Sequence, residues 1–206
     1  MHFRSGRYPL ILEDEIVGEA AQDLFRDAQA MLKRIIDERW FTARGVVGFW
    51  PANARGDDIV VWTDESRTTE AARFHGLRQQ IAKSNGKPNL CLSDFVAPLG
   101  ENGDGDDYLG AFAVTAGHGE LEKAAEFKAR GDDYSAIMAT ALADRLAEAF
   151  AERLHKEVRT RLWGYFPDEQ TSVQDLIEEK YLGIRPAPGY PAQPDQIGRA
   201  SCRERV

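Results

Sequence analysis

Apolar residues recur at spacings of three and four in two long stretches of the chain, which is the pattern of amphipathic helices. The first stretch predicts a helix over residues 16–39. Three acidic residues precede it, Glu13, Asp14 and Glu15, and their charge complements the N-terminal end of a helix dipole. The second predicts the longest element of the chain, a helix over residues 133–161. The apolar positions on one face of this long helix are Ile137, Ala141, Leu142, Leu146, Ala149, Phe150, Leu154 and Val158.

Shorter apolar and β-branched runs predict strands. Residues 45–50 form such a run, and Pro51 is expected to end it because proline cannot donate to a strand ladder. Residues 59–62 are the predicted hairpin partner, across a turn at residues 53–57. The strongest strand pattern lies at residues 108–115, which are rich in β-branched and aromatic side chains.

Three further segments complete the outline. Residues 69–83 predict a second helix, and residues 90–96 a short strand or an irregular buried segment. Thr171 or Ser172 is expected to cap a short helix that ends near Lys180, since the local sequence fits a capping box. The elements alternate irregularly, without the βαβ repeat of a parallel sheet.

Composition narrows the class of protein. The 206 residues suffice for one domain, or one large and one small, and the hydrophobic fraction of 43% is ordinary for a globular protein. A net charge of −8 disfavours a nucleic-acid partner. No apolar run is long enough to span a membrane, residues 1–20 lack a signal-peptide core, and two cysteines are too few for a disulfide framework or a zinc site. A cytoplasmic location is expected.

No catalytic or metal-binding motif is present in the sequence. Dinucleotide, nucleophile-elbow, phosphate-loop and Cys/His metal patterns are all missing. Residues 104–107 faintly resemble a calcium loop, but they lack its spaced ligands and are interpreted as a solvated turn. His155 lies near an apolar helix face and is predicted to be a packed core histidine rather than a ligand. No catalytic residue and no metal ligand are therefore predicted.

The last ten residues, 197–206, break sharply from the sequence before them. They back-translate codon by codon into a common sequencing-adapter oligonucleotide, so we expect library read-through and not a native segment. The alternative is a natural basic tail. Resequencing the locus distinguishes the two.

A proline-rich stretch, Arg185-Pro-Ala-Pro-Gly-Tyr-Pro191, is the most distinctive feature of the chain. Three prolines fix φ and remove backbone donors, so the stretch can be neither helix nor central strand. It is a stiff loop that presents one cation, Arg185, and one aromatic ring, Tyr190. Such a loop is either a rigid surface connection or a clamp for a small molecule with a carboxylate and a flat ring.

This loop closely resembles the S-adenosylmethionine-binding loop in the reactivation domain of cobalamin-dependent methionine synthases. The resemblance covers residues 6–196 and rests on many phrases in one order. They include Gly6-Arg-Tyr-Pro9, Ile11-Leu-Glu-Asp-Glu15, Arg44-Gly-Val-Val-Gly48, Asp94-Phe-Val-Ala-Pro98, Gly110-Ala-Phe-Ala-Val-Thr115, Asp132-Asp-Tyr134, Trp163-Gly-Tyr165 and Gly183-Ile-Arg-Pro-Ala-Pro-Gly-Tyr-Pro191.

The resemblance implies an α+β fold: a single C-shaped domain with a bent antiparallel sheet and flanking helices, here incomplete at both ends. Residues 1–196 would be a partial activation domain. The parent enzyme would be a methyltransferase that passes methyl from 5-methyltetrahydrofolate through cobalamin to homocysteine, with zinc in the parent enzyme only. This domain would bind S-adenosylmethionine for reductive remethylation of inactive cob(II)alamin, with flavodoxin or a flavoprotein reductase as electron donor.

Site residues follow from the same resemblance. Arg185 would hold the methionyl carboxylate in a bidentate grip, and Ala187 and Gly189 would offer backbone groups. Tyr190 would lie at the cobalamin face, and Glu148 near the ligand's ammonium group.

Two further acidic residues, Asp144 and Glu120, match positions that contact the cobalamin-binding module and receive its displaced cobalt-ligating histidine. For Asp144 and Glu148 a solvated helix face is the alternative.

The chain departs from the family pattern at both ends. An aspartate-containing ligand segment is expected upstream of Gly6 and a tyrosine-containing one beyond Gln196, and neither is present. The fragment alone is therefore expected to be inactive and to bind ligand weakly or not at all. Two other functions stay open: a free-standing module that presents S-adenosylmethionine to a corrinoid protein, and a structural protein that has lost the ligand.

Overall fold

The computed structural model describes residues 8–83, 86–100 and 105–186. Within these ranges the secondary structure consists mainly of α-helices and β-strands. The helices are α1 (Gly18–Asp37), α2 (Glu120–Ala129), α3 (Asp133–Glu157) and α4 (Val173–Ile177), and the strands are β1 (Thr42–Arg55), β2 (Asp58–Trp62), β3 (Glu70–Phe74) and β4 (Tyr108–His118). The α+β class predicted from the resemblance is confirmed.

The strands form one sheet in the order β3-β2-β1-β4. β1 and β2 are an antiparallel hairpin in which Arg55 pairs with Asp58 and Ala52 with Val61. β2 pairs with β3 in the same antiparallel sense. The predicted hairpin is thus present, with a tighter turn than expected because β1 continues to Arg55.

Pro51 does not end the first strand, contrary to prediction. β1 continues through it, and the ladder with β2 begins only at Ala52. Because Pro51 lies just outside that ladder, its missing N–H removes no bond to β2.

The helix predicted at residues 69–83 is wrong. Glu70–Phe74 is strand β3, and residues 75–83 are irregular. β2 is buried over Ile59 to Trp62, and pairing with β3 satisfies its backbone groups. This tertiary requirement overrides a local helical preference.

The long helix is confirmed, but the residues predicted to face the core are partly wrong. α3 ends at Glu157, and Val158–Leu162 forms a π-helical turn. Ile137, expected in the core, is 70% exposed, whereas His155 is buried as predicted. The residues of α3 that are buried are Ala136, Met138, Ala139, Ala143 and His155.

Ser172, one of the two predicted caps, begins α4. Its hydroxyl accepts from the backbone N–H of Asp175 at 3.1 Å, and its own N–H donates to the Asp175 carboxylate at 3.0 Å. This reciprocal pair is a capping box.

The chain divides into two compact units. Unit 1 comprises Met1–Val46 and Ala113–Lys156, and unit 2 comprises Val47–Phe112 and Glu157–Val206. Each has its own apolar core. In unit 1 the buried residues are Met31, Ile35, Ala124, Phe127, Ala136, Met138 and Ala139, and in unit 2 a cluster forms from Ala52, Ile59 and Val61.

Candidate functional site

Arg185 lies in unit 2, near the end of the described residues. It is half-buried and follows α4 in an irregular segment. Ala187, Gly189 and Tyr190 lie outside the described residues. Of the predicted ligand loop, residues 185–191, the structure therefore describes only Arg185 and Pro186. These two residues and the segment that leads into them, residues 181–186, are called here the loop base.

A buried ion pair lies beside this loop base. The side chains of Arg159 and Glu169 are both fully buried, and two parallel bonds join them: Nε to Oε2 at 2.5 Å and Nη2 to Oε1 at 2.8 Å. The Thr171 hydroxyl donates a further bond to Glu169 Oε1 at 2.6 Å. A bidentate pair of this kind fixes the plane of the guanidinium group.

The environment keeps Arg159 charged. Burial disfavours its charge, yet the hydrogen bonds and the negative charge of Glu169 outweigh burial and raise the pKa of Arg159. Arg159 is thus a permanent cation inside unit 2, neutralised by Glu169.

Two tyrosine contacts hold the loop base, and one of them is made by this ion pair. The guanidinium carbon of Arg159 lies 4.0 Å from the ring centroid of Tyr181, a cation–π contact. The Tyr165 hydroxyl donates to the carbonyl of Leu182 at 3.4 Å. Partial burial raises the pKa of Tyr165, so this phenol remains a donor at neutral pH.

The ring of Tyr165 is held in turn by an aromatic cluster. Trp163 meets it edge-on with centroids 5.7 Å apart, and Phe49 lies 5.0 Å from Trp163. Such pairs stabilise beyond the area they bury. Tyr165 is therefore a fixed support for Leu182.

Gly183 is required at its position for two reasons. Its φ is 96°, and a Cβ there would lie 2.8 Å from the Tyr165 hydroxyl. Only glycine meets both conditions without strain. The chain thus turns tightly over Tyr165 two residues before Arg185.

In unit 1, Thr140 bonds to one of the three predicted acidic residues, Glu120, and shares a surface depression with another, Asp144. The Thr140 hydroxyl donates to Glu120 Oε1, and Thr140 also lines an open depression of about 290 Å³ with Asp144. Lys128 and Ile137 form other parts of its wall. This depression combines an apolar wall with charged groups.

Glu148 is placed differently. It lies on the exposed face of α3 one turn beyond Asp144, and Arg145 Nη1 is 3.0 Å from its carboxylate. The side chains of both partners are about two-thirds exposed, at 67% and 69%. The predicted alternative, a solvated helix face, describes its surroundings in unit 1.

Sequence reasoning missed the Arg159–Glu169 pair. One signal was available, because Arg159 follows His155 at a spacing of four on the buried stripe of the long helical pattern. Glu169 carries no such signal, since it lies in a loop between elements.

The described residues contain neither a candidate metal cluster nor a candidate membrane-spanning helix. No group of three or more His, Cys, Asp or Glu side chains in them is arranged to hold a metal ion. Nor does this part of the chain contain a helix with the length and apolarity needed to cross a membrane.

Comparison with known proteins identifies the family. A sequence model described as "Vitamin B12 dependent methionine synthase, activation domain" matches residues 2–204. A crystal structure of the MetH reactivation domain bound to AdoHcy is similar to this chain with 54% sequence identity and a TM-score of 0.85. The match covers 97% of this chain and 61% of the chain in that structure, so this chain spans about three fifths of that length. The chain belongs to the family of activation domains of vitamin B12-dependent methionine synthases.

Proposed function

We propose that this chain is part of the S-adenosylmethionine-binding reactivation domain of a methionine synthase, a methyltransferase. The observation that carries the proposal is the 54% identity, over 97% of this chain, to a reactivation domain described as bound to AdoHcy. AdoHcy is S-adenosylmethionine without its transferable methyl group. A free-standing module, the alternative function, has no support from these comparisons.

Arg185 is the residue proposed to hold the ligand's carboxylate. A guanidinium group presents paired N–H donors that match a carboxylate, and half-burial strengthens such bonds relative to a fully solvated site. The described loop base supports this role, since Tyr181 and Leu182 are each held by a contact within unit 2. Ala187 and Gly189 would add backbone groups, and Tyr190 would lie towards the cobalamin.

The acidic residues of unit 1 are proposed to serve the neighbouring cobalamin module. Glu120 and Asp144 flank Thr140 and would accept a histidine side chain from that module, with charge complementarity if the imidazole is protonated. Glu148 would attract the ligand's ammonium group, which must then replace or accompany Arg145 as its partner.

The chemistry belongs to the bound groups. S-adenosylmethionine would supply an electrophilic methyl group to the cobalamin of the neighbouring module, with an electron from flavodoxin or a flavoprotein reductase. The residues of this chain would bind, orient and exclude water. No described residue is assigned a proton-transfer role. We also propose that the protein acts in the cytoplasm, without a nucleic-acid partner.

Arg185→Ala tests the proposal. Isothermal titration of the domain extended at both ends with S-adenosylhomocysteine should show an affinity lower by about 1.5–3 kcal/mol, the value of a charge-assisted hydrogen bond, or about 10- to 150-fold. Arg161→Ala is the matched control. Arg161 is an exposed arginine of the same unit, 3.0 Å from Glu157, and its loss should leave binding unchanged. Equal affinities of wild type and Arg185→Ala would contradict the assigned role.

A further inference from the structure

We propose that the Arg159–Glu169 pair is a positioning device for ligand binding: through Tyr181 it holds the loop base, and with it Arg185, in one arrangement. The inference rests on the proposed function for its ligand but on described contacts for its geometry. None of these three residues is expected to touch the ligand. Their role is to fix the segment that does.

Burial of a full charge pair demands an explanation other than stability. The side chains of Arg159 and Glu169 have no exposed surface. Removing two charges from water costs several kcal/mol for each ion, and a packed apolar pair of similar volume is often as stable or more so. The ion pair, unlike an apolar pair, fixes the orientation of a side chain, because two parallel hydrogen bonds hold the guanidinium plane.

Tyr181 lies against this guanidinium group. Thr171 bonds to Glu169, Glu169 bonds to Arg159, and the guanidinium carbon of Arg159 is 4.0 Å from the centroid of the Tyr181 ring. Tyr181 is the first residue of the loop base, four before Arg185. An aliphatic residue in place of Arg159 would still bury Tyr181 but would not orient its ring.

A second attachment follows immediately in the chain. The Tyr165 hydroxyl bonds to the Leu182 carbonyl, and Gly183 turns against the same hydroxyl. The loop base is therefore attached at two consecutive residues, Tyr181 and Leu182, and turns at the next residue, Gly183. Proline at position 186 then restricts the backbone beyond Arg185.

Such attachment lowers the entropy lost when a ligand orders its binding loop. Weakening it should reduce affinity without changing the groups that contact the ligand. It should also loosen the loop base in the absence of ligand. The two effects can be measured independently.

The experiment compares Tyr181→Leu with Tyr181→Phe in the full chain. Phenylalanine keeps the ring on Arg159 and leucine does not. The first readout needs no ligand: the rate at which trypsin cleaves after Lys180 under native conditions, followed by mass spectrometry and divided by the rate for an unstructured peptide with the same residues around Lys180. The second is titration with S-adenosylhomocysteine of the same variants in the domain extended at both ends. In Tyr181→Leu, loss of the cation–π contact should speed cleavage after Lys180 about tenfold and weaken binding about tenfold. In Tyr181→Phe, both quantities should keep their wild-type values.

Arg78→Met is the matched control for general destabilisation. Arg78 belongs to the same unit and bonds to Asp57 and Asp94, each at 2.7 Å, away from the loop base in sequence. It should lower the melting temperature while leaving the relative rate at Lys180 and the affinity unchanged.

The outcomes separate the two proposals. Wild-type cleavage at Lys180 in Tyr181→Leu, or equal acceleration in Arg78→Met, would overturn the positioning role. Failure of the wild-type domain, extended at both ends, to bind S-adenosylhomocysteine would contradict the proposed ligand function, and the cleavage rates would still decide whether Tyr181 holds the loop base.

Discussion

Asp94 shows how one residue organises a segment that has no regular secondary structure. Arg78 donates two bonds of 2.7 Å to its two oxygens, and the backbone N–H of Cys91 donates a third at 2.9 Å. Arg78 also donates to Asp57 in the β1–β2 turn. The irregular stretch after β3 is thus joined to the hairpin by one guanidinium group.

This arrangement predicts a specific pH dependence. The bonds from Arg78, and then that from Cys91, lower the pKa of Asp94 from 3.8 to about 2. Because the folded state favours the ionised form, Asp94 stabilises the fold above pH 3.8, and the contribution is lost as the pH falls through about 2. Asp94→Asn should therefore be less stable than wild type at neutral pH.

Urea denaturation of both proteins between pH 6 and pH 2 checks this, with the pH range chosen to span both pKa values. The difference in free energy of unfolding should shrink as the pH falls from about 4 to about 2. A difference that stays constant over that interval would show that the charge of Asp94 does not stabilise the fold.

Single residues also mark the limit of prediction from sequence. Asn53 is 1% exposed and its side-chain oxygen accepts from both Trp62 and Arg67, each at 2.9 Å. In the sequence it lies in a polar run that predicts a turn. Its partners come from distant positions, so no local pattern could identify it as a buried connector.

At the scale of elements, the predictions that succeeded rest on a pattern that continues over many residues or on a recognisable capping motif. α1, α3 and β4 carry their pattern over many residues, and α4 has a capping box. The prediction for β3 was wrong because this strand has only five residues and its extended conformation depends on pairing with β2. The pattern of apolar residues within this segment could not show that β2 would lie beside it in the folded chain.

The junction between β4 and α2 gives a prediction at this scale. Gly119 has a φ of 97°, and a Cβ there would lie 2.5 Å from the carbonyl oxygen of Trp40. Gly131, before α3, has a φ of 75° with open space around it. Gly131→Ala should therefore cost only the backbone strain, about 1–2 kcal/mol, whereas Gly119→Ala should cost clearly more because the backbone must also move.

Thermal and urea unfolding of the two variants measure the difference. Both positions require the same unusual backbone region, so Gly131→Ala is the control for conformational strain alone. Equal losses of stability in the two variants would show that the contact with Trp40 relaxes without cost.

At the scale of the whole molecule, the family resemblance predicted more than the elements did. The α+β class and the activation-domain family, expected from the phrases quoted above, are confirmed. The roles of Arg185, Glu148, Asp144 and Glu120 stay proposals. Physical reasoning from the residues alone predicted a stiff loop that presents a cation. It could not identify the ligand, since a guanidinium group binds many carboxylates and phosphates.

Whether Arg185 binds the ligand's carboxylate can be tested with a ligand that lacks this group. Methylthioadenosine has the adenosine and sulfur of S-adenosylhomocysteine but lacks the carboxylate and ammonium groups. If Arg185 grips the carboxylate, Arg185→Ala should weaken S-adenosylhomocysteine and leave methylthioadenosine unaffected. A ligand that binds only the folded chain raises its stability, by about 2.7 kcal/mol at a concentration one hundred times Kd. Melting curves of the wild-type domain, extended at both ends, and of its Arg185→Ala variant with each ligand therefore form a double-mutant cycle. An equal loss for both ligands in Arg185→Ala would place Arg185 at the adenosine end or in a purely structural role.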